Sequence, residues 1–250
     1  MKFLAFLLIP LLRLSVAHAQ FSTTQPATAH TPIKILVISG GDNRKHTRFY
    51  DLFKDKPDLA ITEITEGKLT ATNSVYDRSD LLTYDVVFLC DYQTQVTEKG
   101  KKEFLALFDK GVGLIALHDA LLSYQDWSEY HRIIGGTYLL DSVKIGDKTF
   151  PPSDVGRDIT IHTLITDPHH AVTVGIADFT THKDELYRKV PTGDDIHVLC
   201  SAEDHPLIWS RTERNSRIVT CMLGHGPPVW NDSSFQKILA NAIKWTAKRD

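Results

Sequence analysis

Along this chain, apolar and polar positions change period several times. Short, nearly unbroken runs of Val, Ile and Leu recur at residues 33–39 (IKILVIS), 60–65, 86–90, 112–117, 159–163, 196–200, 207–210 and 218–222. Runs of that length and composition predict strands buried on both faces. Between them the period lengthens to that of a helix. Residues 98–110 set Phe104, Leu105, Leu107 and Phe108 in an apolar stripe, with Thr97 as N-cap and Gly111 as the stop. Residues 234–248, capped by Asp232 or Ser233, do the same with Phe235, Ile238, Leu239, Ala242, Ile243 and Trp245. Alternation of strand and helix as far as Leu117 predicts right-handed crossovers. The fold class that follows is α/β, a doubly wound and mostly parallel sheet with helices on both faces. Closer strand spacing in the second half predicts some antiparallel extension. No internal repeat or second linker interrupts residues 33–250, which read as one domain.

The first residues follow another pattern. Met1-Lys2 gives a short positive start, Phe3 to Leu12 an apolar run, and Ala17-His18-Ala19 a small-x-small cleavage site before Gln20. The run is shorter than the roughly 20 residues a spanning helix needs. A cleaved signal peptide over residues 1–19 is therefore expected rather than a membrane anchor, with the mature protein periplasmic or secreted and beginning at Gln20. Residues 20–32, rich in Thr, Ala and Pro, read as a flexible lead-in. Cleavage removes Lys2 and Arg13 from a chain of 28 basic and 31 acidic side chains, leaving a net charge of −5. With no basic excess, no nucleic-acid partner is expected, and no membrane partner once the signal is removed. Three cysteines, Cys90, Cys200 and Cys221, lie in apolar runs and read as buried thiols rather than a disulfide framework.

In an open α/β sheet, ligands bind beyond the carboxyl ends of the strands. That rule turns the sequence into a map. The first strand ends at Gly40-Gly41 and leads to His46; the third ends at Asp91, the fourth at His118-Asp119, and the last at Gly224-His225-Gly226. Histidine works as acid, base or metal ligand near neutral pH, so histidines and carboxylates delivered to one face are candidate chemistry. The Gly40-Gly41 turn lacks the spacing of a dinucleotide fingerprint and the Lys-Ser/Thr of a phosphate loop. The turn after the fourth strand carries His118 where related sheets carry a nucleophile, so thiol or serine acyl transfer is not available there. His118 and His225 are both expected in loops beyond strand ends, where truncation leaves no large core cavity.

The run GVGLIALHDALLSYQDWSEYHRIIGG (residues 111–136) resembles the glycine-rich strand, histidine turn and W-x-E-Y…GG segment of the ThuA-like (trehalose utilisation) family. HAVTVGIADF at 170–179 resembles that family's H-P-x-T-x-G-x-x-x-F, with Ala171 in place of Pro. DELY at 184–187, LGHG at 223–226 and then Trp230 follow in the same order. The resemblance implies a class I glutamine amidotransferase-like, flavodoxin-like fold without the amidotransferase nucleophile, and a role in sugar or glycoside utilisation. It carries the family's polar positions onto His118, Trp127, Glu129, Tyr130, His170, Asp184, Glu185, Tyr187 and His225. The Ala171 departure leaves His169 and His170 as alternatives. Trp127 and Tyr130 fit either helix packing or a flat sugar platform.

Two functions fit these residues. The first is an exported enzyme acting on a glycoside or oxidised sugar by acid–base or metal-assisted chemistry. In it His118, Asp119, Glu185 and His225 are the candidate catalytic groups, and His46, Asp91, Trp127, Tyr130, His170, Asp184 and Tyr187 the candidate substrate contacts. The second is a non-catalytic carbohydrate-binding or accessory module using the same cleft. No cofactor is certain. One divalent metal such as zinc would suit His118 and His225, with a third ligand from His46, His170 or Glu185.

Overall fold

A computed structural model describes residues 31–40, 49–66, 74–145 and 147–250. Its main sheet has nine strands. The parallel part is β1 (Ile33–Gly40), β2 (Leu59–Glu66), β3 (Val86–Asp91), β4 (Gly113–Leu117) and a late strand, β11 (Ser216–Cys221). A small hairpin, β5 (Val143–Ile145) with β6 (Lys148–Phe150), stands apart from it. The antiparallel part is β7 (Asp154–Ile165), β8 (Phe179–Arg188), β9 (His197–Ala202) and β10 (His205–Glu213). Across the sheet the order is β2-β1-β3-β4-β11-β10-β9-β7-β8. The chain thus runs as a parallel doubly wound sheet through Leu117, and afterwards adds an antiparallel extension, as the spacing of the apolar runs predicts, together with one further parallel strand, β11, beside β4. β8 has no counterpart among those runs, because its sequence FTTHKDELYR is largely polar.

The helices are α1 (Glu98–Lys110), α2 (Ser128–Ile134), α3 (Pro227–Trp230) and α4 (Ser233–Thr246). Thr97 caps α1 by accepting the Gly100 N–H, and Gly111 ends it in the left-handed region at φ +87°. Asp232 rather than Ser233 caps α4, accepting from Phe235 N at 2.9 Å. Side chains of β11 alternate between faces. Ser216 and Thr220 point to α1 and α2, where their hydroxyls donate to the Leu107 and Ile134 carbonyls. Gly113, on the opposite parity in β4, lies so close to the Thr246 backbone of α4 that a Cβ there would sit 2.5 Å from its carbonyl oxygen. Helices therefore cover both faces. The core between them includes Ile35–Ile38, Val86–Leu89 and Leu114–Leu117, all fully buried.

One element positions the site. β7 and β8 form a long ribbon whose strand pairing with the rest of the sheet is short, Leu164 and Ile165 against β9. Its register shifts between Gly156 and Ile161, beside two left-handed residues, Asp158 (φ +52°) and Lys183 (φ +56°). A bulge of this kind bends a strand and re-aims its side chains. Beyond it, residues 184–188 pass alongside α3 and present Asp184, Glu185 and Tyr187 to the carboxyl ends of β4 and β11.

Candidate functional site

β4 delivers its last turn to the edge of the sheet, and His118 follows Leu117 at φ +44°. A non-glycine residue held there is strained, a state that persists only where surrounding contacts dictate it. Two contacts do so. The Nδ1 of His118 donates to the Met222 carbonyl at 2.6 Å, and its ring stacks on Tyr187 with centroids 4.4 Å apart. Donation from Nδ1 leaves Nε2 as the ring's lone pair in the neutral form. That Nε2 is buried, makes no hydrogen bond, and faces Glu185 Oε2 at 3.6 Å. The other carboxylate oxygen, Oε1, lies 3.5 Å from His225 Nε2 and pairs with the Arg157 guanidinium. His118, Glu185 and His225 each offer one ligand atom within 4.8 Å of the others. They form the single such group of three among the described residues.

Asp184 holds this arrangement without entering it. Fully buried, it accepts the Gly224 N–H at 3.2 Å and the His225 N–H at 3.1 Å. The loop is fixed again by Trp230, whose indole donates to the Gly224 carbonyl at 2.7 Å, and Gly224 itself needs φ +111°. On the mouth side, Tyr138 packs edge-on against Tyr187 at 4.8 Å. The electrostatics agree with the geometry. Burial works to lower the His118 pKa, but the Glu185 carboxylate and the charges of Asp119 and Asp184 outweigh it and raise the value. Burial likewise lifts Glu185, yet His118, His225 and Arg157 together bring it below the usual carboxylate range. Asp184 is raised by burial, which its backbone donors and His118 offset only in part. Both carboxyl groups therefore favour positive charge at His118 Nε2.

The structure brings together six of the predicted residues: His118, Asp119, Asp184, Glu185, Tyr187 and His225. Asp119 is buried and near enough to act on the His118 charge. Asp184 is a backbone clamp where a substrate contact is expected. His118 departs from the expected exposed loop, being 1% exposed, because the ribbon closes over it. The remaining residues lie elsewhere. His170 sits against Trp245 and His197, near Arg217 at the amino end of β11, across the sheet from His225. Its motif is a local turn: Asp167 accepts the N–H groups of His169 and His170, Thr173 caps back onto the Asp167 carbonyl, and Gly175 turns at φ +72°. Tyr130 is fully buried, donates to the Ala120 carbonyl at 2.9 Å, and packs with Trp127, Phe104 and Tyr124. Trp127 is 8% exposed in that cluster, so packing is the reading its surroundings favour over a sugar platform. Asp91 is buried where its charge, together with burial, lifts the Tyr76 and Tyr130 hydroxyls. His46, with the leader, lies outside the described residues. Sequence reasoning misses Tyr138, Arg157 and the Met222 carbonyl. Nothing in their spacing marks them, since each reaches the site through the ribbon or a loop backbone.

The family model described as trehalose utilisation, ThuA, matches residues 34–246. The chain belongs to the ThuA family. This ThuA chain thereby carries the family's association with carbohydrate utilisation. No curated protein matches it. Among solved structures it is similar to a protein described as thua-like from Parabacteroides merdae, at 20% identity and TM-score 0.74, covering 87% of this chain and 90% of that one. A second thua-like protein, from Bacteroides uniformis, shares 17% identity at TM-score 0.65, covering 89% and 95%. A protein from Thermoplasma acidophilum, described as part of a GMP synthase, shares 12% at TM-score 0.53, covering 88% and 96%. These likenesses show a glutamine amidotransferase-like fold. In this ThuA chain the three cysteines are buried and none is in a disulfide, and the strained turn after β4 holds His118.

Proposed function

We propose that this chain is a metal-assisted carbohydrate-processing enzyme whose centre is His118, Glu185 and His225. One observation carries the reading: the buried Nε2 of His118 faces a carboxylate that also faces a second imidazole, with no hydrogen-bond donor settled between His118 and Glu185. Nε2 and a carboxylate buried face to face call for positive charge between them, and either a proton on Nε2 or a metal ion supplies it. Zinc bonds of about 2.0–2.2 Å set neighbouring ligand atoms of a tetrahedron roughly 3.3–3.6 Å apart. The separations of 3.6 Å to Oε2 and 3.5 Å to Oε1 are longer than an ordinary hydrogen bond, and one ligand atom from each of the three residues lies within 4.8 Å of the others, a spacing that small adjustments of the carboxylate bring to that edge. When bound, such an ion polarises an oxygen of the carbohydrate or lowers the pKa of a water.

The chain's own residues divide the rest of the work. Met222 and Tyr187 fix the His118 tautomer and ring plane, and Asp184 sets the His225 loop. Asp119 supplies a buried carboxyl beside His118 for proton transfer. Tyr138, half-buried and packed edge-on against Tyr187, gives an aromatic surface against which a sugar ring can lie. Tag-free protein analysed by elemental mass spectrometry, with a sugar panel followed for turnover before and after chelation, tests this. Near-stoichiometric metal and turnover lost on chelation are expected. Substoichiometric metal with function unchanged by chelation would sink the reading, and sugar binding without turnover would favour an accessory binding module. We further propose export with cleavage before Gln20, supported by the tripartite leader. N-terminal sequencing of extracytoplasmic protein should find Gln20, and an intact Met1 there would refute it.

A further inference from the structure

Arg157 stands out at the mouth of the site. It comes from the bent half of β7, its side chain is 65% exposed, and its guanidinium pairs with Oε1 of Glu185, itself 8% exposed. The exposed arginine of such a pair can leave for water only when another cation compensates the buried carboxylate it leaves behind. The pairing also has a competitor. Oε1 is the same oxygen that His225 Nε2 faces at 3.5 Å, so whatever cation settles between His225 and Glu185 draws on the charge Arg157 now neutralises. Once Glu185 is engaged elsewhere, Arg157 is left as a cation at the mouth, near enough to Tyr138 to act on its hydroxyl. A planar guanidinium with two free N–H edges beside an aromatic wall is suited to a carboxylate or phosphate carried on a ring.

We propose that Arg157 is a specificity-determining clasp that exchanges Glu185 for an anionic substituent on the carbohydrate, so that the site selects acidic sugars over neutral ones. This rests on the carbohydrate reading above for the ring, and its metal-free arm is independent of the ion. Two couplings follow. Releasing Arg157 from Glu185 strengthens anion binding, and an anion holding Arg157 away strengthens cation binding at Glu185 by the same factor.

Calorimetric titration of glucuronate, glucose 6-phosphate and glucose into metal-free wild type, Arg157→Gln, Glu185→Gln and the double variant tests the clasp directly. Glu185→Gln should bind glucuronate about tenfold more tightly than wild type. The double variant should lose that gain, whereas whatever change Glu185→Gln makes to glucose binding should be the same with and without Arg157. If glucose 6-phosphate alone shows the pattern, phosphate rather than carboxylate is the substituent selected. Equal changes for glucose and the anions, or a gain that survives in the double variant, would overturn the proposal. A parallel zinc titration should give Arg157→Gln an affinity about tenfold above wild type. Equal zinc affinity in the two proteins overturns the competition for Oε1. No zinc binding in either removes the metal reading, while the metal-free arm still decides the clasp.

Discussion

Replacing His118 by Ala and, separately, by Gly exposes both halves of its role. The Ala variant loses the bond from Nδ1 to the Met222 carbonyl, a buried group whose orphaning costs about 1–3 kcal/mol. It also loses the stack on Tyr187, worth about 0.5–1.5 kcal/mol. A total near 3 kcal/mol corresponds to a fall of roughly 6–12 °C in Tm for a domain of this size. The Gly comparison isolates the backbone. At an ordinary position Gly trails Ala by about 0.5–1 kcal/mol of chain entropy, and by about 0.8 kcal/mol more for a buried methyl. At φ +44°, Ala instead carries a left-handed penalty of about 1–2 kcal/mol that Gly escapes. The two variants should therefore be nearly equal in stability, and both should lose zinc binding. Urea unfolding monitored by tryptophan fluorescence reads the first and calorimetry the second. If Ala exceeds Gly by more than about 1 kcal/mol, the residue is not held left-handed, and the strained-turn account fails.

Asp184→Asn keeps the shape but turns an amide N–H toward the Gly224 or His225 N–H; zinc affinity should fall about 10–100-fold with the fold retained, and unchanged affinity would show that the loop needs no clamp. Gly224→Ala meets φ +111° and places a methyl 3.1 Å from Leu117 and Phe235, so a loss of about 1–3 kcal/mol is expected by chemical denaturation, against no change if the loop relaxes freely. His131 is depressed by burial, which the Ser123 carbonyl opposes only in part, so as pH falls below 6.5 the unfolded chain takes up the proton first and stability declines. His118, raised, acts in the opposite direction in both proteins, so wild type compared with His131→Gln at pH 7.5 and 5.5 isolates the effect. A wild type that loses no more stability than the variant would refute it.

Strands with continuous Val, Ile and Leu announce themselves because burial on both faces leaves no room for polar residues, and the caps at Thr97 and Asp232 mark helix starts for equally local reasons. β8 is illegible. Its polar residues are buried by a site, not by a core, so hydrophobic periodicity passes over them. His118 and His225 are legible as residues beyond strand ends, and Glu185 through its place in DELY. His170 misleads because a histidine that builds a turn and one that binds a ligand look alike in a motif. Asp184 stands next to Glu185, and only alternation along the strand, with the bulge before it, sends one to the backbone and the other to the imidazoles.

That bulged ribbon has a consequence for how the protein holds together. Two of the three donors hang from the main sheet, while Glu185 rides on a ribbon whose strand pairing with that sheet is a short stretch, Leu164–Ile165, and whose far end is held by side chains alone, through the Asp184 clamp and the Tyr187 stack. Anything seated among the three acts as a rivet joining a distant arm to the body. Its binding energy is spent partly on docking the arm, and the apparent affinity is lowered by whatever fraction of molecules leave the arm undocked. Amide exchange along residues 179–188 should then slow when zinc is added, while the strands β1, β3 and β4 keep the rates they had before.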